Sequence, residues 1–321
     1  MKNHISVSAV IASFNQANFI EEAVVSLAGQ VDEIVVIDDQ STDGTYEKLQ
    51  KLKKKLQNLV LIKKELRLGV SQAYNHAVEI SSGDIIVIQG GDDVSMPNRV
   101  RLQVEALRTS STSLTYSLPV IINSHSAVMS DELGAEFFRK REYQSDLSEL
   151  FFNGNFLCAP SVSMRRDDFL NHGGFPVNVD ALQDYFLWLK CAENGNMVLL
   201  GERIVKYRKH ANNLSRHDPT LVKSIRRERV ERIFVINRFL ESISESALNE
   251  LFLQSGIDSA SLRPQIRTTL LKSKHPNAGV RLQAIQELLE MFNDQESYES
   301  DHFAVSRLIN HILLTTESYI D

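Results

Sequence analysis

Four short apolar runs recur roughly every 25 residues at the start of the chain, and this spacing constrains the fold more than any other feature. The runs cover residues 5–12, 33–38, 59–63 and 83–89. Near-continuous hydrophobicity predicts strands that are buried on both faces. The segments between them, at 18–27, 42–56 and 70–80, have helical spacing. Alternating strands and helices predict βαβ units and a parallel sheet, in which ligands bind beyond the carboxyl ends of the strands.

The periodic pattern weakens beyond residue 109. Residues 109–155 are rich in Ser and Thr and in mixed charge, and they are predicted to form loops and short helices beside a cleft. Ordered structure is predicted again at 159–164, as a helix at 184–193 and as a strand at 197–200. Beyond 219 the spacing of apolar residues such as Val230, Phe234 and Leu270 predicts packed helices. We therefore expect a domain at 1–219 and a helical region at 220–321.

Composition excludes several classes of protein. The chain is 43% hydrophobic and 24% charged, as in an ordinary globular protein, and unlike a disordered or fibrous one. Its two cysteines, Cys158 and Cys191, are too few for a disulfide framework, which favours a reducing, cytoplasmic location. A net charge of −6 disfavours nucleic acid as the partner. No G-x-G-x-x-G follows the first strand and no P-loop motif occurs, which disfavours dinucleotide oxidoreductases and P-loop nucleotidases.

Pairs of acidic residues follow two of the predicted strands. Asp38 and Asp39 end the second strand, where carboxylates can accept hydrogen bonds from a nucleobase or ribose. Taken alone, such a segment more often forms only a turn that caps the next helix. Asp92 and Asp93 follow the fourth strand on a glycine-containing loop. Such a pair suits Mg²⁺ or Mn²⁺, which would neutralise a substrate diphosphate, but a lone pair of this kind is more often a turn.

Two residues farther along the chain are also candidates. Asp184 opens the predicted helix at 184–193. It could be there only because the helix dipole stabilises a carboxylate in the first turn, or it could act as a general base in a cleft. His210 lies in a polar segment, and taken alone it is more often a surface histidine than a ligand.

Taken in order, these segments resemble the inverting nucleotide-sugar glycosyltransferases of family 2. The resemblance covers about two thirds of the chain, residues 5–216. Its matching pieces include IVVIDDQSTDGT, LGVSQAYNHAVEISSGDIIVIQGGDDVSMPNRV, APSVSMRRDDF, NHGGFP, LQDYFLWLKCAENG and YRKHANNLSR. The family implies the α/β GT-A fold, a Rossmann-like and mostly parallel sheet flanked by helices, here with a C-terminal helical extension.

The resemblance also implies roles for individual residues. Asp184 would deprotonate the acceptor hydroxyl. Nucleotide contacts would come from Ala12, Phe14, Asn15, Asp38, Asp39, Gly69, Asn75, Gly91 and Asp92. The cofactor, Mn²⁺ or Mg²⁺, would be held by Asp92, Asp93 and His210, and Gly173, Gly174 and Gln183 would lie near donor and acceptor.

The implied partners are a nucleotide-sugar donor, more often UDP-linked than linked to another nucleotide, and a glycan, glycolipid or glycoprotein acceptor. Residues 123–155 would line the acceptor site. We further expect peripheral association with the inner face of the membrane and a homo-oligomer formed through the C-terminal helices.

Four positions depart from the family's usual pattern. Gly90 stands where many members carry the first Asp of Asp-x-Asp, Gln183 replaces a frequent Glu, Ala12 replaces Pro, and Tyr74 replaces Arg. These departures leave a second hypothesis open, a GT-A-like binding or scaffold protein without transferase activity. A sugar nucleotidylyltransferase is a third hypothesis, but the glycine- and arginine-rich N-terminal loop expected of it is missing.

Overall fold

The computed structural model describes residues 4–177, 179, 181–211, 213, 222–255 and 264–293. The described residues divide into two compact units. The first unit lies within Met1–Glu142 and Asn155–His217, and the second lies within Tyr143–Gly154 and Asp218–Asp321.

Strands and helices are numbered along the chain. The strands are β1 (Val7–Ser13), β2 (Glu33–Asp38), β3 (Leu59–Lys63), β4 (Ile85–Gly90), β5 (Val94–Ser95), β6 (Thr112–Tyr116), β7 (Val120–Ile122), β8 (Ser163–Arg165), β9 (Asn196–Leu199) and β10 (Val205–Arg208). The helices of the first unit are α1 (Ile20–Leu27), α2 (Thr45–Lys53), α3 (Val70–Ile80), α4 (Arg99–Leu107), α5 (Ala135–Phe138), α7 (Arg166–Asn171) and α8 (Gln183–Asn194). Those of the second are α6 (Asp146–Asn153), α9 (Val222–Glu241), α10 (Glu245–Ser255), α11 (Pro264–Ser273) and α12 (Ala278–Asn293).

A seven-stranded sheet in the order β3-β2-β1-β4-β8-β6-β9 forms the centre of the first unit. Strands β1 to β4 pair in parallel, and β8 runs antiparallel to both β4 and β6. Strand β6 therefore runs in the same direction as β4, and β9 is parallel to β6. The prediction of a mostly parallel α/β sheet is confirmed. The carboxyl ends of β1, β2, β4 and β6 consequently lie at one edge of the sheet.

Apolar residues on both faces explain why β1, β2 and β4 lie inside the sheet. Strand β3, which was also predicted to be buried on both faces, is an edge strand in which only Leu59 is buried, so that prediction was wrong. Five of the seven residues of β1 are buried without interruption, and α1 buries Ile20, Ala23, Val24 and Leu27 at helical spacing against the same core. Branched Val and Ile side chains favour strands because they pack well on a pleated surface. Hydrophobic burial therefore holds the strand ends in a fixed relation to one another.

The prediction of only loops and short helices at 109–155 was wrong. Strand β6 lies in the main sheet, and β7 joins β5 and β10 in a separate three-stranded sheet ordered β5-β10-β7. All five residues of β6 are buried, although its sequence, TSLTY, is mostly polar. Thr and Tyr favour strands, and side-chain burial overrides the loop signal that Ser and Thr give. Strands of two to four residues, such as β5 and β10, are too short for a periodic pattern to reveal.

The second unit consists of helices in its described residues, as predicted for the region beyond 219. Phe151 of α6 is fully buried there, and its ring centre lies 6.5 Å from that of Phe239 and 5.4 Å from that of His275. Leu270, which was predicted to pack, is buried, and so are Leu271 and Leu288. Residues 220, 221, 256–263 and 294–321 of the predicted helical region lie outside the described residues.

Two predicted packing residues of α9 are exposed instead. Val230 is 66% exposed and Phe234 is 43% exposed, whereas Val235, Ile236 and Phe239 form the buried face. The helix is rich in charge and its apolar residues occur on more than one face, so sequence spacing alone does not choose between the faces. No helix among the described residues is both long and apolar enough to cross a membrane.

Candidate active site

Asp38 and Asp39 lie at the carboxyl end of β2, where Asp38 is in register with Ser13 of β1. Oδ1 of Asp38 accepts a hydrogen bond from the Ser41 amide at 3.1 Å. Its Oδ2 and the Ser13 Oγ are buried without a hydrogen-bond partner among the described residues. Buried polar atoms are usually paired, so two adjacent unpaired oxygens at the ligand-binding edge mark a place that a ligand or water would fill.

Asp39 holds the loop that precedes α3. Its Oδ1 accepts a hydrogen bond from the Leu68 amide at 2.6 Å, and its Oδ2 accepts one from the Gly69 amide at 2.9 Å. Gly69 has a φ of 84°, which favours glycine, and it precedes the first turn of α3. The Asp39 carboxylate therefore does not cap the next helix, because both of its oxygens accept hydrogen bonds from a loop about thirty residues away.

The segment after β1 supplies an aromatic ring and an amide. Phe14 is half-buried, and Cζ of Arg67 lies 3.7 Å from its ring centre, a cation–π contact. Asn15 has a positive φ of 52°, and its Oδ1 accepts the Thr42 amide at 2.9 Å. Ala12 is half-buried in β1 between Ile37 of β2 and Gly90 of β4. These residues border the same edge as Asp38.

The acidic loop after β4 is joined to the segment after β10. Oδ2 of Asp92 lies 2.9 Å from Nε2 of His210 and 3.4 Å from Nδ2 of Asn213. Oδ1 of Asp93 accepts the Arg208 amide at 2.8 Å. The ring of His210 also contacts that of Phe19, with the ring centres 4.8 Å apart and the planes tilted by 33°. The structure thus brings together Asp92 and His210, which lie 118 residues apart in the chain.

The two acids of this loop have different environments. Asp93 is 1% exposed, and burial, followed by the charge of neighbouring Asp92, raises the pKa of its carboxyl well above the usual range. The Asp92 side chain is 14% exposed. Asp93 therefore mainly shapes the loop, and Asp92 is the acid with a more accessible carboxylate.

Arg208 is a site residue that sequence reasoning missed. Its side chain is 1% exposed and donates from Nε to the Asp92 carbonyl at 2.6 Å and from Nη2 to Glu22 Oε2 at 2.6 Å. Its Nη1 donates to the Asn123 carbonyl and to Ser126 Oγ, each at 3.0 Å. The only sequence signal was its place two residues before His210. Arg208 fixes the acidic loop against α1 and the segment after β7.

Gly90, the departure from Asp-x-Asp, has a steric reason. A Cβ at this position would lie 2.2 Å from Oδ2 of Asp93 and 3.0 Å from Oδ1 of Asp92. The neighbouring Gly91 is equally crowded, because its Cβ would lie 2.0 Å from Oε1 of Gln16. The loop packs so tightly around Asp93 that a side chain at position 90 has no room.

We expect Gly90→Ala to lower the free energy of unfolding by about 1–3 kcal/mol, since the buried Asp93 carboxylate must move. Urea denaturation measures this change. Gly201→Ala is the matched control, because a Cβ there meets nothing within 4 Å. Equal free energies of unfolding for the two variants would show that the Asp93 side chain can move aside without a measurable loss of stability.

The glycine turn after α7 is held by Asn75. Gly173 and Gly174 have φ values of 84° and 63°. Oδ1 of Asn75 accepts the Phe175 amide at 2.9 Å, and its Nδ2 donates to the Phe175 carbonyl at 2.8 Å. A Cβ on Gly174 would lie 2.6 Å from the same Oδ1.

Tyr74, which replaces the Arg that is usual in the family, donates a hydrogen bond from its hydroxyl to the Gln89 carbonyl at 2.8 Å. In this structure Tyr74 and Asn75 therefore support the ends of β4 and α7.

Asp184 lies in the first turn of α8 and is almost completely buried. Its Oδ2 accepts hydrogen bonds from Nδ2 of Asn155 at 3.0 Å and from Nε1 of Trp188 at 3.3 Å. Burial raises the pKa of its carboxyl to about 6, and the two side-chain donors limit the rise. Oε1 of the preceding Gln183 is buried without a hydrogen-bond partner among the described residues. A carboxylate that is fixed in position, with a pKa near neutrality, has the properties of a general base.

Known proteins share this sequence pattern and fold. The model of the family described as Glycosyl transferase family 2 matches residues 8–173. The Escherichia coli enzyme UDP-Glc:alpha-D-GlcNAc-diphosphoundecaprenol beta-1,3-glucosyltransferase WfgD is 26% identical over 214 residues, which cover 65% of this chain and 79% of the relative.

Two solved structures share the fold at lower identity. S. aureus TarS 1-349 in complex with UDP has a TM-score of 0.58 at 16% identity, covering 98% of this chain and 91% of that one. The mannosyltransferase PcManGT from Pyrobaculum calidifontis, in complex with GDP-Man and Mn²⁺, has a TM-score of 0.57 at 13% identity, covering 99% and 88%. Because the family model matches more than half of the chain, the chain belongs to glycosyl transferase family 2 and is a glycosyltransferase with the GT-A fold.

Proposed function

We propose that this glycosyltransferase moves a sugar from a UDP-linked donor to an acceptor hydroxyl with inversion, in the synthesis of cell-surface polysaccharide or glycan. The observation that carries the proposal is Asp184, a buried carboxylate whose pKa is raised to about 6 and whose orientation is fixed by Asn155 and Trp188. The UDP complex of TarS and the UDP-glucose named for the E. coli relative support the choice of donor.

Asp92 and His210 fit a divalent cation that the substrate helps to hold. No group of three or more His, Cys, Asp or Glu side chains within the described part of the chain could hold an ion by itself. Asp92 Oδ2 and His210 Nε2, which lie 2.9 Å apart, are nevertheless two atoms of the kinds that a divalent cation such as Mn²⁺ binds, so these two residues would hold it. Mg²⁺ is commonly bound by one or two carboxylates together with substrate phosphates. When bound, the cation would supply charge neutralisation for the departing diphosphate.

The chain's own groups provide the remaining steps. Asp38 and Phe14, at the ends of β2 and β1, would bind the nucleoside, and Arg208 would keep Asp92 in place. Asp184 would accept the proton of the acceptor hydroxyl, so that its oxygen attacks the anomeric carbon from the side opposite the diphosphate. Gln183, with its unpaired Oε1, would contact donor or acceptor beside the base.

We expect Asp92→Asn to abolish the metal-dependent part of donor affinity. The reason is that an uncharged amide is a weaker ligand for a hard cation than a carboxylate. Isothermal titration with UDP, with and without Mn²⁺, measures the metal-dependent part. Asp131→Asn, a surface acid paired with Arg203, is the control. Equal UDP affinity for Asp92→Asn and wild type in Mn²⁺ would refute the metal role.

The pH profile tests Asp184 as the base. Because a base must be deprotonated, kcat/KM should fall about tenfold per pH unit as pH decreases below about 6, the value to which burial raises this pKa. Initial rates from pH 4.5 to 8 at saturating metal measure the profile. A rate that stays constant down to pH 5 would contradict the assignment.

A further inference from the structure

Tyr116 ends β6 at the ligand-binding edge of the sheet. Strand β8 pairs antiparallel with both β4 and β6, so the carboxyl ends of β4 and β6 point the same way. Tyr116 therefore lies at the same edge as Gly90, the last residue of β4.

Two arginines lie over the aromatic rings beside Tyr116. Cζ of Arg141 is 4.3 Å from the ring centre of Phe156 and 5.8 Å from that of Tyr116, and Cζ of Arg139 is 5.7 Å from that of Phe156. The two rings are 6.1 Å apart. Phe156 directly follows Asn155, whose amide donates to the Asp184 carboxylate. Two guanidinium groups thus lie over the ring of the residue that follows Asn155, the hydrogen-bond partner of the proposed base.

The hydroxyl of Tyr116 is an independent sign of a ligand. The residue is 2% exposed, and its hydroxyl oxygen is buried without a hydrogen-bond partner among the described residues. A buried hydroxyl without a partner is unfavourable, and in native proteins it calls for a bound group or water that completes it.

We propose that Tyr116, Arg139 and Arg141 form a subsite for a phosphoryl group carried by the acceptor. The proposal rests on the proposed function, because it names the chemistry of the molecule whose hydroxyl Asp184 would deprotonate. Guanidinium groups bind phosphate oxygens in a bidentate manner, and each has five N–H donors, so it can bind a ligand while keeping other contacts. The hydroxyl would donate to a remaining phosphate oxygen once Arg141 swings away from the rings.

Charge favours phosphate over a neutral sugar at this position. Arg139 and Arg141 place two guanidinium groups at the rings of Phe156 and Tyr116, within an Arg-Lys-Arg run that Glu142 follows. The phosphoryl group could belong to a phosphodiester-linked polyol chain or to a lipid-linked diphosphate sugar. Both sources place a phosphate a few bonds from a sugar or polyol hydroxyl.

Calorimetric titration of the full chain in EDTA tests the subsite without the metal-dependent donor site. The probes are inorganic phosphate, bis(glycerol) phosphate as a diester, and a short prenyl diphosphate. We expect Arg141→Gln and Tyr116→Phe each to weaken binding of the preferred probe by about tenfold or more. The control is Arg108→Gln, which removes an exposed arginine paired with Glu105. The tighter of the two organic probes identifies the source of the phosphate.

Stability separates a binding role from a structural one. In the absence of phosphate, Tyr116→Phe should leave the melting temperature unchanged or raise it, because the removed hydroxyl has no partner. A lowered melting temperature, no binding of any probe by wild type, or equal affinity in both variants would overturn the proposal. Phosphate binding does not require Asp184, so Asp184→Asn should bind the probes as wild type does. If wild type hydrolyses the donor but binds no phosphate probe, the subsite alone is refuted. If wild type binds a phosphate probe but hydrolyses no donor, the proposed function is refuted.

Discussion

Replacing Asp184 with asparagine should reduce turnover by about 10²- to 10⁴-fold while leaving donor affinity largely intact. The amide has nearly the shape of the carboxylate and can still accept a hydrogen bond from Asn155 or Trp188, so the local structure should be kept. It cannot take up the proton of the acceptor hydroxyl, and general-base assistance contributes a factor of this size. Steady-state rates at saturating donor, together with UDP titration, measure both properties.

The same substitution should stabilise the fold, which distinguishes lost chemistry from lost structure. Folding raises the Asp184 pKa from 3.8 to about 6. The free energy of unfolding therefore falls as pH rises through this range, and it stays lower at neutral pH, where the buried carboxyl is ionised. Removing the buried charge should therefore raise the free energy of unfolding at pH 7 by about 1–3 kcal/mol. Asp167→Asn, at an exposed acid of α7, is the control and should change neither property. Wild-type turnover in Asp184→Asn would refute its role as the base.

Strong hydrophobic patterns made the first half of the sheet predictable. Strands β1, β2 and β4 are apolar across consecutive residues, so burial on both faces could be inferred before any partner strand was known. The same inference failed for β3, an edge strand in which only Leu59 is buried. Strand β6 was not predictable in this way, because its Thr and Ser residues become buried only through pairing with β8 and β9. Local pattern is informative where burial depends on the segment itself, and it fails where distant segments provide the burial.

The site shows the same division between local and distant determinants. The resemblance pointed to both Asp92 and His210, and the structure brings them within hydrogen-bonding distance. It placed Asn155 only at the end of a broad region expected to line the acceptor site, without its contact with Asp184 29 residues away, and it did not point to Arg208. Side chains that orient other side chains have no fixed spacing in sequence, because several geometries can satisfy the same carboxylate.

Gly90 shows why a departure from a family motif is a poor argument for lost activity. The hypothesis of an inactive scaffold drew on the missing first acid of Asp-x-Asp. The Asp93 carboxylate occupies the space that a side chain at position 90 would need, while Asp92 keeps the more accessible carboxylate. The loop therefore uses a different packing to present one acid at the sheet edge.

Replacing Arg208 with methionine should destabilise the first unit by roughly 3 kcal/mol. The range for removing one partner of a buried charge pair is about 3–5 kcal/mol, and the low end applies because Glu22 is 45% exposed and can turn to water. The carbonyls of Asp92 and Asn123 and the hydroxyl of Ser126 would lose their donors as well. Urea denaturation and the Mn²⁺ dependence of UDP binding measure the two consequences.

Arg203→Met separates this effect from the loss of any arginine near β10. Arg203 donates two hydrogen bonds to Asp131, but its side chain is 40% exposed and that of Asp131 is 44% exposed. Exposed pairs contribute little because water replaces the lost partner. Its midpoint of unfolding and its UDP affinity in Mn²⁺ should therefore match those of wild type. If Arg208→Met also retained Mn²⁺-dependent UDP binding, the position of Asp92 would not depend on Arg208, and the backbone of the acidic loop alone would have to hold it.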